Sequence, residues 1–206
     1  MTKQTYTVTV DYSKSVTELV KEGKYDWAND SITTSNFPSK EKGSKRVEIT
    51  LFKFKENITS KEVVKKMKAK GYRPATIKEL LTLGVNKPDL QRGNWIVALG
   101  SKWLGSFGDV HVPNLGGAES DRTLCLPWWR GGWNSDWQFA CVQVSSTLKP
   151  SNSKSLEPSD TLTLSDIDVK INNAYEVLFS ETQIINKKLD KVIKFFSMTK
   201  NDHDEK

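Results

Sequence analysis

The sequence predicts an α+β fold. Two stretches, Thr5 to Tyr12 and Arg46 to Leu51, alternate apolar and polar residues with the period of a half-buried strand. Two capping-box signatures, Thr59 with Glu62 and Thr76 with Glu79, each precede a short apolar stripe. After Pro88 the texture changes to short apolar runs punctuated by glycine. Strands and helices first, then a cluster of short strands, is the order of an α+β domain and not of a βαβ series.

In the first strand Tyr6, Val8, Val10 and Tyr12 share one face and threonines the other. Ser15 to Glu22 reads as a short helix, with Val16, Leu19 and Val20 at helical spacing. Residues 28–45, polar and containing Asn36-Phe37-Pro38 and Gly43, read as a long loop. In the second strand Val47, Ile49 and Leu51 face one way, and Phe52 and Phe54 then slip the phase by one. A bulge near Leu51 and a strand buried on both faces both account for the slip.

The Thr59 box opens a helix with the stripe Val63, Val64 and Met67, stopped at Gly71. The Thr76 box opens another around Leu80 and Leu81, with Gly84 as its expected stop. Trp95 to Leu99 is a short apolar strand. Gly105, Gly108 and Asp109 mark a hairpin before Val110 to Val112, and Leu124 to Leu126 and Phe139 to Val144 are two more strands. One domain is expected over residues 1–146. Residues 147–163 then read as a Ser/Pro-rich linker, 164–197 as an amphipathic helix with no proline or glycine, and 198–206 as a frayed tail.

Composition narrows the function classes. The 206 residues are 36% hydrophobic and 27% charged, as in a globular protein. No apolar run approaches the ~20 residues of a membrane helix, so no membrane insertion is expected. Residues 1–10 lack the apolar core of a signal peptide, which makes the cytoplasm the default compartment. The net charge of +6 belongs to residues 1–70, with 15 Lys and Arg against 9 Asp and Glu. The aromatics gather instead in a nearly neutral region, so this basic excess reads as solvated surface and not as a nucleic-acid site.

Chemistry is poorly provided for. There are two histidines, His111 in a strand context and His203 near the end, and no phosphate loop, dinucleotide fingerprint or nucleophile–base grammar. No catalytic residue, cofactor or metal is expected. Cys125 and Cys141 lack metal-type spacing; they would bridge if their strands were adjacent, and otherwise read as two independent small residues.

What stands out is Trp128-Trp129-Arg130-Gly131-Gly132-Trp133-Asn134-Ser135-Asp136-Trp137, which holds four of the seven tryptophans. Rigid aromatics interleaved with glycine and small polar residues make an adaptable contact surface, the mixture that antibody paratopes use. A small domain also needs large apolar anchors. Trp128 and Trp133 are therefore expected to point inward, and Trp129 and Trp137 outward.

Leu124 to Val142 resembles the closing part of the C-type lectin fold used by variable proteins of diversity-generating retroelements. Tyr25-Asp26-Trp27, Gly71-Tyr72-Arg73-Pro74-Ala75, Glu79-Leu80-Leu81 and Pro88-Asp89-Leu90-Gln91-Arg92 continue the resemblance. So do Ile96 to Ser101, Val112 to Leu115 and Arg122 to Leu126, and together they span roughly residues 7–143. The chain is similar to a set of small proteins from archaea, their viruses and uncultivated bacteria. One departure is the run Phe139-Ala140-Cys141-Val142, where the familiar ending is Phe-Leu-Ala-Val.

The resemblance implies a C-type-lectin-like display scaffold whose ligand-binding loop is diversified by a reverse transcription that errs at adenines. It implies variable positions at Cys125, Pro127, Arg130, Gly131, Asn134, Ser135 and Asp136, with Trp129 and Trp137 as exposed neighbours. Gly116, Gly117 and Ser120 form a secondary set, and Leu124, Leu126, Trp128, Trp133, Phe139, Ala140 and Val142 the framework. The partner implied is a protein or cell-surface ligand, with display on a virion or cell.

Three rivals differ in chemistry. Calcium-dependent sugar binding would need roughly six to eight oxygen ligands, and the loop lacks such a set. A formylglycine-generating type of oxidase would need a reactive cysteine pair. A structural or virion subunit would oligomerise through the 164–197 helix.

Overall fold

The computed structural model describes residues 2–144. The expected linker, amphipathic helix and tail lie outside the described residues. Over these residues the fold is mixed α+β, with three α-helices, one eight-stranded sheet and two two-stranded sheets.

The sheet is built on β3 (Ser44–Lys53) and β12 (Trp137–Gln143). β1 (Thr2–Asp11) pairs antiparallel with β3 over its whole length, and β12 pairs antiparallel with the other side of β3. Along its far side β12 meets β6 (Trp95–Val97) in parallel and then β5 (Tyr72–Pro74) antiparallel. Beyond β6 lie β9 (Asn114–Gly116), β10 (Thr123–Cys125) and β2 (Trp27–Ala28), so β1 and β2 form opposite edges.

The phase slip in β3 has its explanation in packing. The register with β1 and with β12 runs unbroken through Leu51 and Phe52, so there is no bulge there. The strand is instead buried on both faces, and residues of opposite parity enter different cores. Ile49 and Leu51 join Val8, Val10, Ile96, Leu115, Leu124, Ala140 and Val142 on one side. Phe52 joins Val97, Phe139 and Cys141 on the other.

Helices cover both faces. The first core is closed by α1 (Val16–Gly23), through Val16 and Leu19, and by α3 (Ile77–Asn86), through Ile77, Leu80, Leu81 and Leu83. The second is closed by α2 (Ser60–Lys68), through Val63 and Met67, together with Trp133 and Val112. The α2 start is a full capping box. Thr59 Oγ1 accepts from the Glu62 amide at 3.4 Å, and Glu62 Oε2 accepts from the Thr59 amide at 2.9 Å. A third box, Ser15 with Glu18, starts α1 and was not anticipated.

At α3 the box glutamate does more. Glu79 is fully buried; its carboxylate accepts from the Thr76 amide at 2.7 Å, the Tyr12 hydroxyl at 2.6 Å and the Arg73 guanidinium at 2.6 and 2.9 Å. Burial alone would raise its pKa, but these donors outweigh the desolvation and hold it below the ordinary value.

Gly84, expected to stop α3, lies inside the helix. Its role is close approach: a Cβ there would sit 2.6 Å from the Tyr25 hydroxyl and 3.2 Å from Leu115. The same junction holds Arg122, which is 6% exposed. Its guanidinium donates to the Gly23 carbonyl at 2.6 Å and the Gly84 carbonyl at 2.9 Å, at the C-terminal ends of α1 and α3. Those carbonyls have no partner within their helices and carry the negative end of the helix dipole, so a cation satisfies two orphaned ends at once. No helix among the described residues is long and apolar enough to cross a membrane.

Candidate functional site

The Trp-rich segment is tied down at short intervals. Past β10, the chain runs antiparallel to β8 (Val110–His111). The Val112 amide donates to the Pro127 carbonyl at 3.0 Å, the Trp129 amide donates to the Val110 carbonyl at 2.7 Å, and His111 bridges to Trp128. His111 Nδ1 lies 2.7 Å from the Leu126 carbonyl oxygen, so that nitrogen carries the hydrogen of the bond. This is the strand histidine that the sequence suggested.

After a tight turn closed by the Gly131 amide and the Trp128 carbonyl at 3.2 Å, β11 (Gly132–Trp133) pairs with β4 (Ile58–Thr59). Asn134 then forms an Asx turn, accepting from the Asp136 amide at 3.1 Å, and the chain enters β12.

Burial along this segment corrects part of the expected split. Trp133 is 2% exposed and belongs to the second core, as expected. Trp128 was expected inward and is 63% exposed. Trp129 and Trp137 were expected outward, and both are half-buried against the second core. The cause is the pairing with β8: adjacent residues of an extended strand face opposite sides, so one residue of phase exchanges Trp128 and Trp129. The ring of Trp129 has the Lys102 ammonium 4.0 Å from its centre. Trp137 stacks edge-on against Trp133 at 4.7 Å and lies 5.5 Å from Trp95.

The positions expected to vary divide in the same way. Arg130, Asn134, Ser135, Asp136 and Ser120 are exposed; Cys125, Pro127 and Gly131 are half-buried. Gly116 and Gly117 are buried, and the expectation that they vary is corrected on steric grounds. A Cβ on Gly116 would overlap the Trp95 ring, and one on Gly117 would overlap the Asp121 carbonyl at a backbone φ of +146°.

The cysteines are free. Cys125 on β10 and Cys141 on β12 are separated by β9 and β6. Three strand spacings are about 14 Å, far beyond disulfide reach. The Cys141 thiol donates to the Thr50 carbonyl at 3.1 Å, and burial pushes its pKa up to about 12. A reactive cysteine pair, the requirement of the oxidase reading, is therefore not assembled. Among the described residues no three His, Cys, Asp or Glu side chains converge as metal ligands would.

Two aromatic rows escaped the sequence reading. β7 (Trp103–Leu104) pairs with β8 so that Trp103 faces His111, with ring centres 5.3 Å apart, and His111 in turn bridges to exposed Trp128. On the main sheet Trp137 is paired with Trp95, whose ring lies across Gly116; Gly116 is paired with Thr123, and Thr123 with Trp27. Trp95 is 37% exposed and Trp27 52%. Both rows depend on which strands are neighbours, a long-range fact that spacing along the chain does not carry. The chain matches no family model, no curated protein and no solved structure.

Proposed function

We propose that the chain is a non-enzymatic recognition protein with a C-type-lectin-like domain. Its ligand surface is the 124–139 segment, and that surface is the variable region of a diversity-generating retroelement. The observation that carries this reading is the separation, within one short segment, of side chains that hold the fold from side chains that face solvent. Leu124, Leu126, Trp133 and Phe139 are buried anchors; between them Trp128, Arg130, Asn134, Ser135 and Asp136 are exposed. The backbone that bears the exposed set is fixed to β8, β4 and α2, so those residues can change identity with little effect on the core. Exposed tryptophan beside arginine, asparagine and serine is also the composition of recognition surfaces that bind proteins. The partner is a protein or cell-surface ligand.

The DNA flanking the coding sequence tests this. A second, imperfect copy of codons 124–139, mismatched at its adenines and close to a reverse-transcriptase gene, is the expected result. Its absence would leave a binder of fixed specificity. Substitutions spread evenly over anchors and exposed positions among sister copies would overturn the recognition surface itself.

A further inference from the structure

We infer that the β1 edge of the sheet is a self-association surface, on which β1 of a second copy pairs antiparallel in the register centred on Thr7. β1 ends the strand order and, among the described residues, pairs only with β3. Proteins blunt long edge strands with charged side chains, proline or bulges. β1 has none of these from Gln4 to Val10, which reads Gln-Thr-Tyr-Thr-Val-Thr-Val, and its register with β3 is regular across ten residues.

The free hydrogen-bonding groups can be assigned. The Tyr12 amide donates to the Gly43 carbonyl at 2.9 Å, which continues the β1–β3 register. Hydrogen-bonded pairs alternate in an antiparallel ladder, so the even-numbered residues of β1 bond to β3. Lys3, Thr5, Thr7 and Thr9 direct their amides and carbonyls outward, as Asp11 does its amide, whereas the Asp11 carbonyl accepts from the Lys14 amide at 3.3 Å.

Self-complementarity selects the occupant. Lys3 and Asp11 stand four residues on either side of Thr7; within the chain the Lys3 ammonium donates to the Tyr72 hydroxyl and the Asp11 carboxylate accepts from the Ser13 amide at 2.9 Å, each keeping further hydrogen-bonding capacity. Antiparallel pairing about Thr7 sets Lys3 opposite Asp11 of the second copy at both ends. Thr5 then meets Thr9, Thr7 meets Thr7, and half-buried Tyr6 meets Val8 on the opposite face. Threonine pairs, aromatic–β-branched pairs and opposite charges are the favourable cross-strand combinations. β1 already shows one such threonine pair, Thr5 with Thr50 of β3 at 3.0 Å between hydroxyl oxygens. A slip of two residues either way loses both charge pairs. β1 lies at the opposite edge of the sheet from β10 and β2, so pairing of β1 edges is separate from the surfaces that carry Cys125 and Trp27. The inference does not depend on what those surfaces bind.

The test is sedimentation equilibrium and amide exchange on the full chain across a wide concentration range. Thr7→Pro removes an outward amide while leaving the β1–β3 ladder intact, and should weaken association by about tenfold or more. Lys3→Glu and Asp11→Lys should each weaken it by setting like charges opposite one another, and the double reversal should restore it. The amides of Thr5, Thr7 and Thr9 should become protected as concentration rises. Unchanged association of Thr7→Pro overturns edge pairing, and a double reversal no stronger than either single variant overturns the register. Protection independent of concentration means that residues of the same chain cover the edge, and no protection means that it stays open; either overturns the second copy as occupant.

Discussion

The indole N–H of Trp133 donates to Ser60 Oγ at 2.8 Å, and the Ser60 hydroxyl donates in turn to the Trp129 carbonyl at 2.7 Å. One buried hydroxyl at the first residue of α2 thus joins the helix to both ends of the Trp129–Trp133 turn. The sheet face, the helix and the exposed loop are positioned by the same small group, and removing either end of this relay should be felt throughout the loop.

Trp133→Ala is expected to lower stability by about 3–5 kcal/mol, the usual cost of deleting a buried large aromatic. Arg130→Ala, three residues earlier and exposed, should stay within about 0.5 kcal/mol. Ser60→Ala leaves a buried indole N–H and a carbonyl without their partner and should cost roughly 1–3 kcal/mol. Urea denaturation of the three variants checks the order; equal midpoints for Trp133→Ala and Arg130→Ala would invert the assignment of core and surface.

Glu79 should impose an acid limit on stability. Its folded pKa is held below its ordinary value. The native state therefore binds fewer protons than the unfolded chain as the carboxylate titrates, and stability rises with pH through that window. The contribution is fully present above the unfolded pKa and is lost as pH falls through the folded one. Glu79→Gln should flatten this acid limb and cost on the order of 2 kcal/mol at neutral pH, the scale of hydrogen bonds to a charged group. Melting temperature against pH for both proteins decides it; an unchanged slope in the variant would remove Glu79 as the cause.

Local grammar in the chain carried the fold further than it carried the site. β1, the α2 start at Thr59 and the hairpin before Val110 follow from alternation, a four-residue box and paired glycines, all short-range signals. Where non-neighbouring elements decide the outcome, the signal fails. Gly84 looks like a helix stop until Tyr25 and Leu115 are seen against it. Trp128 and Trp129 are chemically alike, and only the pairing with β8 determines which one faces solvent. The anchors Leu124 and Phe139 were legible because they lie in apolar strands, and Trp133 because a small domain needs large apolar anchors; the rows through Trp103 and Trp95 were not, because they cross strands distant in sequence.

Gly116 and Gly117 provide a steric check on which loop positions can vary. Gly116→Ala should displace the Trp95 ring and Gly117→Ala should strain a left-handed backbone, each costing about 1–3 kcal/mol. Ser120→Ala, in the same connection and exposed, should be close to neutral. Thermal melts of the three single variants are sufficient, and a Gly117→Ala protein as stable as Ser120→Ala would return Gly117 to the variable set.

The strongest expectation concerns many substitutions at once. If Leu124, Leu126, Trp133 and Phe139 hold the segment, then randomising Arg130, Ser135 and Asp136 together should leave most clones folded. Their exposed side chains enter neither core, and surface changes stay within about 0.5 kcal/mol each. Asn134 belongs with them at some cost, because its side chain closes the Asx turn; aspartate and serine should be its best replacements. Randomising the four anchors instead should leave few folded clones, since each truncation costs several kcal/mol against a typical total stability of about 5–15 kcal/mol. Protease resistance of the two libraries, read by sequencing survivors, measures the difference directly. Similar survival in both would mean that the segment does not separate framework from display, and the proposed recognition surface would lose its physical basis.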